Sequence, residues 1–329
     1  MKEINYLKII NKELSDNSFL GDDCAFIKPE LMGTKGLYIT QDTLVENVHF
    51  TPESVTPYQL GKKAVNINLS DLAANCAKPL FLTISLSLPK TTNESFVEDF
   101  YKGINKICET QNIKVIGGDI TGSDKIMVSI CAIGQKISNI TISRKFAKIN
   151  DVVFVTGFHG DSAGGLKQLL AGKKNTYLTD SHLNPKAQLE KSIELLKTAE
   201  VENIKEFAMM DTSDGLADAM YRIAKDSNVS IDCDFKKIPI SNELKNEYPN
   251  IFPDLVLWGG EDFQLLGCIE PNVFEKLNKN NFFKIGTVQA KNNNFFVKIN
   301  LENDTILIDQ NVYESKSFNH FEDIKWNYL

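Results

Sequence analysis

The chain has 329 residues, of which 42% are hydrophobic and 24% charged, so its composition is that of an ordinary globular protein. The 36 basic and 43 acidic side chains give a net charge of −7, which argues against broad binding to nucleic acid. The longest mainly apolar stretch, residues 80–88, is far shorter than the roughly 20 residues of a membrane span. The first residues lack the continuous apolar core of a signal peptide. We therefore expect a soluble, cytoplasmic protein of about two domains that binds neither nucleic acid nor membrane.

Two helix-start signals stand in the first half of the sequence. Residues 56–59 (Thr-Pro-Tyr-Gln) combine an N-cap, a proline at the first helical position and a capping-box glutamine. Apolar residues then recur every three or four positions from Leu60 to Ile67, which predicts one buried helix face. Thr91 and Glu94 form a second capping box, which predicts that another helix starts there and runs to residue 108.

Strands alternate with helices in both halves of the chain. The first half has predicted strands at residues 114–116, ended by two glycines, and at 126–132, where apolar residues alternate. Residues 135–150 lose apolar periodicity, and we place a domain boundary there, between domains 1–138 and 139–329. The later predicted elements are a strand at 152–156, helices at 161–171, 186–199 and 214–227, and strands at 229–235, 263–269 and 295–299. This alternation predicts an α/β or α+β fold.

Carboxylates beside small residues, at positions typical of loops and helix starts, recur along the chain. They are Asp22, Asp23, Asp42, Asp71, Asp119, Asp161, Asp211, Asp214, Glu261 and Asp262. Each one alone is explained by a helix cap or a turn. Together, in a chain with no Cys-x-x-Cys pair and no histidine cluster, they favour magnesium over zinc or iron. The six cysteines are expected to be buried reduced thiols.

A glycine-rich segment at residues 157–165 runs straight into a predicted helix, and backbone N–H groups of that kind bind phosphate well. Walker A, dinucleotide-binding and protein-kinase motifs are all absent, so a nucleotide would need a different cradle. With four histidines and no Gly-x-Ser-x-Gly, a Ser-His-Asp hydrolase is not favoured. His182 and His320 are expected at the surface, whereas His49 is either a structural histidine or a ligand contact.

Seven motifs, in this order, resemble those of the thiamine-monophosphate kinase family. They are Gly-Asp-Asp-Cys-Ala (21–25), Asp-Thr-Leu-Val-Glu-Asn-Val-His-Phe (42–50), Asn-Leu-Ser-Asp-Leu-Ala-Ala (68–74), Gly-Gly-Asp (117–119), Gly-Asp-Ser-Ala-Gly-Gly-Leu (160–166), Asp-Thr-Ser-Asp-Gly-Leu (211–216) and Gly-Gly-Glu-Asp-Phe (259–263). The resemblance spans nearly the whole chain. It implies the two-domain fold of the aminoimidazole ribonucleotide synthetase-like superfamily, with N-terminal sheets that form a barrel in a homodimer.

The resemblance also implies roles for individual residues. The implied ligands of several Mg²⁺ ions are Asp23, Thr40, Gln41 (through its backbone), Asp42, Asp71, Asp119, Asp211 and Asp214. The implied contacts of ATP are Tyr101, Gly118, Asp119, Arg144 and Ser213, and those of thiamine monophosphate are His49 and Glu261. Phosphoryl transfer would depend on Asp42, Asp71, Asp119 and Asp214.

The expected reaction is direct transfer of the γ-phosphoryl group of ATP to thiamine monophosphate, giving thiamine diphosphate. A phosphomonoester has its second pKa near ~6, so the attacking oxygen is already largely ionised at neutral pH and no strong base is needed. Positioning and metal ions supply most of such catalysis. The alternatives are another ATP-dependent synthetase or dehydratase of the same superfamily, and a catalytically silent nucleotide-binding protein.

The chain departs from the family pattern at two places. Residues 144–147 read Arg-Lys-Phe-Ala where the family often has Arg-Ser-Gly-Ala. Many members also carry a tryptophan near the C-terminus that stacks on the thiamine, and Ser315 stands at that position here, a few residues before Phe318-Asn319-His320-Phe321. Another side chain would have to supply that stacking.

Overall fold

A computed structural model describes the backbone of residues 25–27 and both the backbone and the side chains of residues 36–321. The helices are α1 (Pro57–Ala74), α2 (Glu94–Gln111), α3 (Asp161–Leu170), α4 (Tyr177–Leu183), α5 (Leu189–Val201), α6 (Leu216–Asp226), α7 (Asn242–Glu247), α8 (Phe252–Trp258), α9 (Pro271–Phe274) and α10 (Gln310–Lys316). The strands are β1 (Ala25–Ile27), β2 (Leu37–Val45), β3 (Lys78–Leu88), β4 (Lys114–Gly122), β5 (Met127–Gln135), β6 (Thr141–Ile142), β7 (Val152–Val155), β8 (Glu206–Asp211), β9 (Ser230–Asp234), β10 (Leu265–Ile269), β11 (Phe283–Gln289), β12 (Val297–Asn300) and β13 (Thr305–Ile308).

The first five strands form one sheet, in the order β1-β2-β5-β3-β4. Strand β5 pairs antiparallel with both β2 and β3, whereas β4 runs parallel to β3 at the edge. The alternation of apolar residues predicted a strand at 126–132, and β5 buries every second side chain as expected. Helix α1 packs on β2 and β5 and lies against α2.

One predicted helix start is confirmed and the other is wrong. The Thr56 hydroxyl accepts a hydrogen bond from the Gln59 N–H, and the Gln59 side chain accepts one from the Thr56 N–H, so the first capping box is present. Helix α2 is capped by Asn93 instead of Thr91, because the Asn93 side-chain oxygen accepts from the Phe96 N–H at 2.9 Å. The helix therefore begins at Glu94, and its cap is an asparagine that fits the same geometry.

Helices α1 and α2 cross with their backbones in close contact. A Cβ atom built on Gly61 would lie 2.1 Å from the carbonyl oxygen of Phe100, and one built on Gly103 would lie 2.1 Å from that of Tyr58. Both distances are far below any van der Waals contact, so each helix needs a residue without a side chain at the crossing.

The second sheet contains the remaining strands, in the order β13-β12-β9-β11-β7-β10-β8-β6. All four residues of β7 are buried, as expected for an apolar strand that is covered on both faces. Helix α6 packs on β8, β9 and β12, with its apolar face toward the sheet. The α/β (α+β) class predicted from the sequence is confirmed.

The strands of the first sheet lie within residues 25–135 and those of the second within 141–308. The exact domains, 1–138 and 139–329, and the barrel in a dimer stay predictions. Strand β4 continues to Gly122, past the predicted end at residue 116, and its side chains are exposed along its whole length. No helix in the described residues is long and apolar enough to span a membrane.

Candidate active site

A cleft of about 830 Å³ lies between residues of the first sheet and α1 on one side and loops of the second half on the other. Seven residues from the predicted sets line it: Asp42, His49, Asp71, Asp211, Ser213, Asp214 and Glu261. These residues are separated by up to 219 positions in the sequence, from 42 to 261. The fold therefore brings together carboxylates from both halves of the chain, as the motifs predicted.

Two of these carboxylates are not on loops or helix starts, where the sequence pattern put them. Asp42 lies within β2, and its N–H donates to the side-chain oxygen of Asn68 at 3.1 Å. Asp71 lies in the last turn of α1, where the Thr40 hydroxyl donates to its Oδ2. Burial raises the pKa of Asp42 to about 6, because its charge is partly removed from water.

The other two aspartates, Asp211 and Asp214, lie at the end of strand β8 and just after it. Asp211 is buried at the end of β8, and the Ser70 hydroxyl of α1 donates to its Oδ2 at 2.6 Å. Asp214 lies just before α6 and is 3.6 Å from the guanidinium of Arg222. Arg222 also donates to Asp218 at 2.7 Å. This arginine therefore lies next to a carboxylate of the cleft.

Glu261 lies on a tight loop after α8. Its backbone has a φ of +67°, an uncommon conformation for a residue with a side chain, and its N–H donates to the carbonyl of Ser213 at 2.7 Å. Its carboxylate Oε2 accepts from the Lys63 ammonium at 3.0 Å and lies 3.4 Å from Nδ1 of His182. Burial acts to raise the pKa of Glu261, but Lys63 and His182 more than offset it and hold that pKa below its ordinary value.

His49 is half-buried at the same cleft. Its Nδ1 accepts a hydrogen bond from the Val45 N–H at 3.0 Å, which places the proton of the neutral ring on Nε2. The His320 ring lies 5.2 Å away, measured between ring centroids. Burial is the main cause that lowers the pKa of His49, opposed by the carboxylate of Glu261. The ring is therefore a neutral hydrogen-bond donor at neutral pH.

The glycine-rich segment at residues 157–165 does not leave its helix start open for phosphate. Asp262 fills that position, because its carboxylate accepts from the N–H groups of Gly160 at 2.6 Å and Ser162 at 3.0 Å. Burial raises the pKa of Asp262 to about 8, although the two N–H donors act to lower it. An aspartate of the chain thus caps α3, and the phosphate cradle expected from the glycines is not formed by those two N–H groups.

Several residues of the predicted sets lie away from the cleft lining. They are Thr40, Gln41, Tyr101, Gly118, Asp119 and Arg144, and Asp23 lies outside the described residues. Gly118 and Asp119 are on the exposed edge strand β4, three strands from Asp42, which is about 14 Å at the usual strand spacing. Arg144 is buried, with its Nε 3.6 Å from Asp226.

The C-terminal end of the described chain closes one side of the cleft. Tyr313 of α10 stacks on Tyr221 at 3.8 Å and donates to Asp218 at 2.8 Å, which fixes α10 on α6. Residues 315–320 follow along the cleft, so Ser315 does lie at the site. Trp258 also lines the cleft, and the ammonium of Lys316 lies 5.8 Å from the centroid of its ring.

Sequence reasoning missed Lys63, His182 and Trp258. His182, expected at the surface, is 4% exposed, because α4 packs it against α3 and α1. Lys63 did carry a signal, since it lies on the apolar face of α1 between Leu60 and Ile67, where a charged side chain needs a partner. Trp258 gave no signal, because its position at the cleft depends on contacts distant in sequence.

The donor set of the cleft suits a hard divalent cation. Asp42, Asp71, Asp211 and Asp214, four of the aspartates that line it, offer carboxylate oxygens, which are the ligands that Mg²⁺ prefers. Within residues 36–321 no three His, Cys, Asp or Glu side chains are already arranged as a metal cluster. Magnesium is commonly held by one or two carboxylates together with phosphate oxygens, so this arrangement fits it when a phosphate ligand is present.

Comparison with known proteins adds the following relatives. Residues 21–135 match the family of AIR synthase related proteins, N-terminal domain. The chain is 37% identical over 272 residues to thiamine-monophosphate kinase of Aquifex aeolicus, covering 80% of this chain and 84% of the relative. It is 33% identical over 313 residues to that of Bacillus subtilis, covering 92% and 93%. A solved structure of AaThiL complexed with AMPPCP and TMP superposes with a TM-score of 0.80 at 31% identity, over 97% of both chains.

Proposed function

This chain belongs to the thiamine-monophosphate kinase family, and on that premise we propose that it transfers the γ-phosphoryl group of ATP to thiamine monophosphate. The products are thiamine diphosphate and ADP. The observation that carries the proposal is the single cleft that is lined by His49 and Glu261 together with Asp42, Asp71, Asp211 and Asp214 from both halves of the chain. The neighbour AaThiL, seen with AMPPCP and TMP, supports a site that takes both ligands together.

The chemistry asks little of a catalytic base. The attacking phosphate oxygen of a phosphomonoester, with its second pKa near ~6, is already ionised at neutral pH. The barrier comes from bringing two polyanions into line, so positioning is the main task of the protein. His49, as a neutral donor, and Glu261, as an ionised acceptor, are suited to fix the acceptor substrate by hydrogen bonds.

Magnesium is part of the proposal, with Asp42, Asp71, Asp211 and Asp214 as the ligands from the cleft. Bound Mg²⁺ would neutralise the phosphates of both ligands. Two of these carboxylates are oriented by hydroxyl donors: Thr40 donates to Asp71, and Ser70 donates to Asp211. Asp23, Thr40, Gln41 and Asp119 stay predicted ligands.

The remaining ligand contacts are proposals as well. Ser213 lies in the cleft, whereas Tyr101, Gly118, Asp119 and Arg144 are predicted nucleotide contacts outside its lining. The rings of Trp258 and Phe318 face the cleft and could supply the stacking that Ser315 cannot.

We extend the proposal to a cytoplasmic homodimer. Strand β4 leaves one edge of its sheet unpaired within the described residues and exposes Val115, Ile116 and Ile120 by 40%, 55% and 59%. An exposed apolar edge strand favours pairing with another chain, and a second copy would cover it. The five described cysteines are free thiols, which suits a reducing compartment.

The proposal is tested by incubating the purified chain with ATP, Mg²⁺ and thiamine monophosphate and measuring thiamine diphosphate. We expect product from the wild type and a loss of at least about a hundredfold in kcat for Asp71→Asn, because one carboxylate charge between the phosphates is removed. Asp124→Asn, the same change at an exposed aspartate outside the cleft, serves as the control.

Two results would reject the proposal. ATP consumption that yields no thiamine diphosphate would favour another synthetase or dehydratase of the superfamily. Nucleotide binding without any turnover would favour a silent binding protein. If Asp71→Asn and wild type form thiamine diphosphate at equal rates, the proposed activity stands, but the proposed magnesium site is rejected.

A further inference from the structure

Lys63 is a buried lysine beside the cleft. Its side chain is 2% exposed, on the face of α1 that packs toward the second half of the chain. A buried ammonium is costly unless it is paired, and the carboxylate of Glu261, at 3.0 Å, is its ionic partner. Lys63 itself does not line the cleft, so it has no direct access to a ligand there.

His182 completes the group around Glu261. Its Nε2 lies 3.5 Å from the Lys63 ammonium, which can only donate, so Nε2 is the acceptor and the proton of the ring is on Nδ1. Nδ1 faces both the Ser162 hydroxyl at 3.0 Å and Oε2 of Glu261 at 3.4 Å. Burial, and then the Lys63 charge, lower the pKa of His182 to about 3, so the ring stays neutral.

The two carboxylate oxygens of Glu261 are therefore in different situations. Oε2 takes the contacts from both Lys63 and His182. Oε1 has no hydrogen-bond partner in the part of the chain that the structure describes, and Glu261 lines the cleft. The backbone of Glu261, at a φ of +67°, is held by its bond to Ser213. Such a strained conformation persists only where the surroundings fix it, and it is common at ligand sites.

We propose that Lys63 is a positioning residue, which holds Oε2 of Glu261 so that Oε1 is presented to a hydrogen-bond donor of the acceptor substrate. The inference rests on the proposed function and concerns the same site. The donor is of the class of a ring amino group, such as that on the aminopyrimidine of thiamine monophosphate. Because the Lys63–Glu261 pair is neutral overall, recognition comes from a directed hydrogen bond more than from net charge.

The test compares Lys63→Met, Glu261→Gln and the double variant with wild type. For each we measure kcat, the KM for thiamine monophosphate, the KM for ATP, and thiamine monophosphate binding by calorimetry. Lys62→Met, one position along α1, is the matched control, because Lys62 donates to Asn184 and does not contact Glu261. Thermal unfolding of every variant reports on folding.

We expect Lys63→Met to raise the KM and the Kd for thiamine monophosphate at least about tenfold, since a hydrogen bond to a charged group is lost. The KM for ATP should stay within about twofold. The double variant should be no worse than Glu261→Gln alone, because Lys63 acts through that carboxylate. The double variant removes both charges of the pair, so it remains informative if Lys63→Met alone fails to fold.

An unchanged Kd in Lys63→Met, or a double variant about tenfold worse than Glu261→Gln, would overturn the positioning role while the wild-type activity stands. A parallel rise in both KM values with a lowered melting temperature would also overturn it, in favour of a purely structural role. A wild type that neither binds nor phosphorylates thiamine monophosphate would reject the proposed function and this inference together.

Discussion

A substitution at the N-terminus of α3 can decide whether Asp262 caps this helix or whether the helix start binds phosphate. In Asp262→Ala the N–H groups of Gly160 and Ser162 lose the carboxyl oxygens that accept from them at 2.6 and 3.0 Å. Gly160, the N-cap residue, has no side chain that could replace it. Loss of an N-cap side chain costs ~0.5–2 kcal/mol when one bond is lost. With two bonds lost, we expect the free energy of unfolding to fall by about 2–4 kcal/mol.

The assay is urea unfolding of wild type and variants, followed by circular dichroism. Asp262→Asn keeps one side-chain oxygen as an acceptor, so it should lose about half as much stability as Asp262→Ala. Glu243→Ala, which removes an exposed acid from the first turn of α7, is the control and should change stability by less than about 0.5 kcal/mol. The reasoning would be refuted if Asp262→Ala kept wild-type stability and instead lowered the KM for ATP about tenfold, as expected where the freed N–H groups bind phosphate.

Three further predictions concern stability and assembly. Asp151 is 4% exposed, and burial raises its pKa to about 6, above the unfolded value near 3.8. Its contribution to stability is therefore present at low pH and lost as the pH rises through 6. Asp151→Asn can still accept the hydrogen bond from the Lys148 N–H. Its free energy of unfolding in urea should match that of wild type at pH 4 and exceed it by up to ~3 kcal/mol at pH 8. An equal difference at both pH values would contradict this. Gly103→Ala should destabilise the protein by at least ~1–3 kcal/mol in thermal unfolding, because its Cβ would lie 2.1 Å from the Tyr58 carbonyl; a wild-type melting temperature would contradict the crossing geometry. In size-exclusion chromatography with light scattering, Ile120→Lys should convert the proposed dimer to a monomer, whereas a dimeric wild type with an unshifted variant would place the interface elsewhere.

Local signals predicted those elements whose ends are set by nearby residues. The start of α1 follows from Thr56 and Gln59, which bond to each other three positions apart. The extent of β4 could not be predicted, because Gly117-Gly118 looks like a strand end. At Gly118 a Cβ would lie 2.0 Å from the carbonyl oxygen of Ile84, so the glycine serves the close approach of β4 to β3. That requirement comes from the neighbouring strand, so the sequence around Gly118 does not indicate that β4 continues.

The candidate site was predicted in part for the same reason. Motif positions identified Asp42, Asp71 and Glu261, and the fold brings them to one cleft. The partners that set their chemistry were not identified. Lys63 finds its carboxylate 198 positions away, and His182 is buried by helices whose packing no single segment encodes. Residue type and spacing indicate which groups can react, whereas their ionisation and orientation depend on tertiary contacts.

Helix α1 gives the crossing with α2 a significance beyond stability. The same helix carries Lys63, which contacts Glu261, Ser70, which donates to Asp211, and Asp71, which lines the cleft. Lys63, which acts through Glu261, and Asp71, a proposed magnesium ligand, thereby lie on one helix, eight residues or about 12 Å apart along its axis. A shift of α1 at its contact with α2, at Gly61, would displace Lys63 and Asp71 together. We therefore expect the proposed binding of the two ligands to be coupled through a helix contact that lies outside the cleft lining.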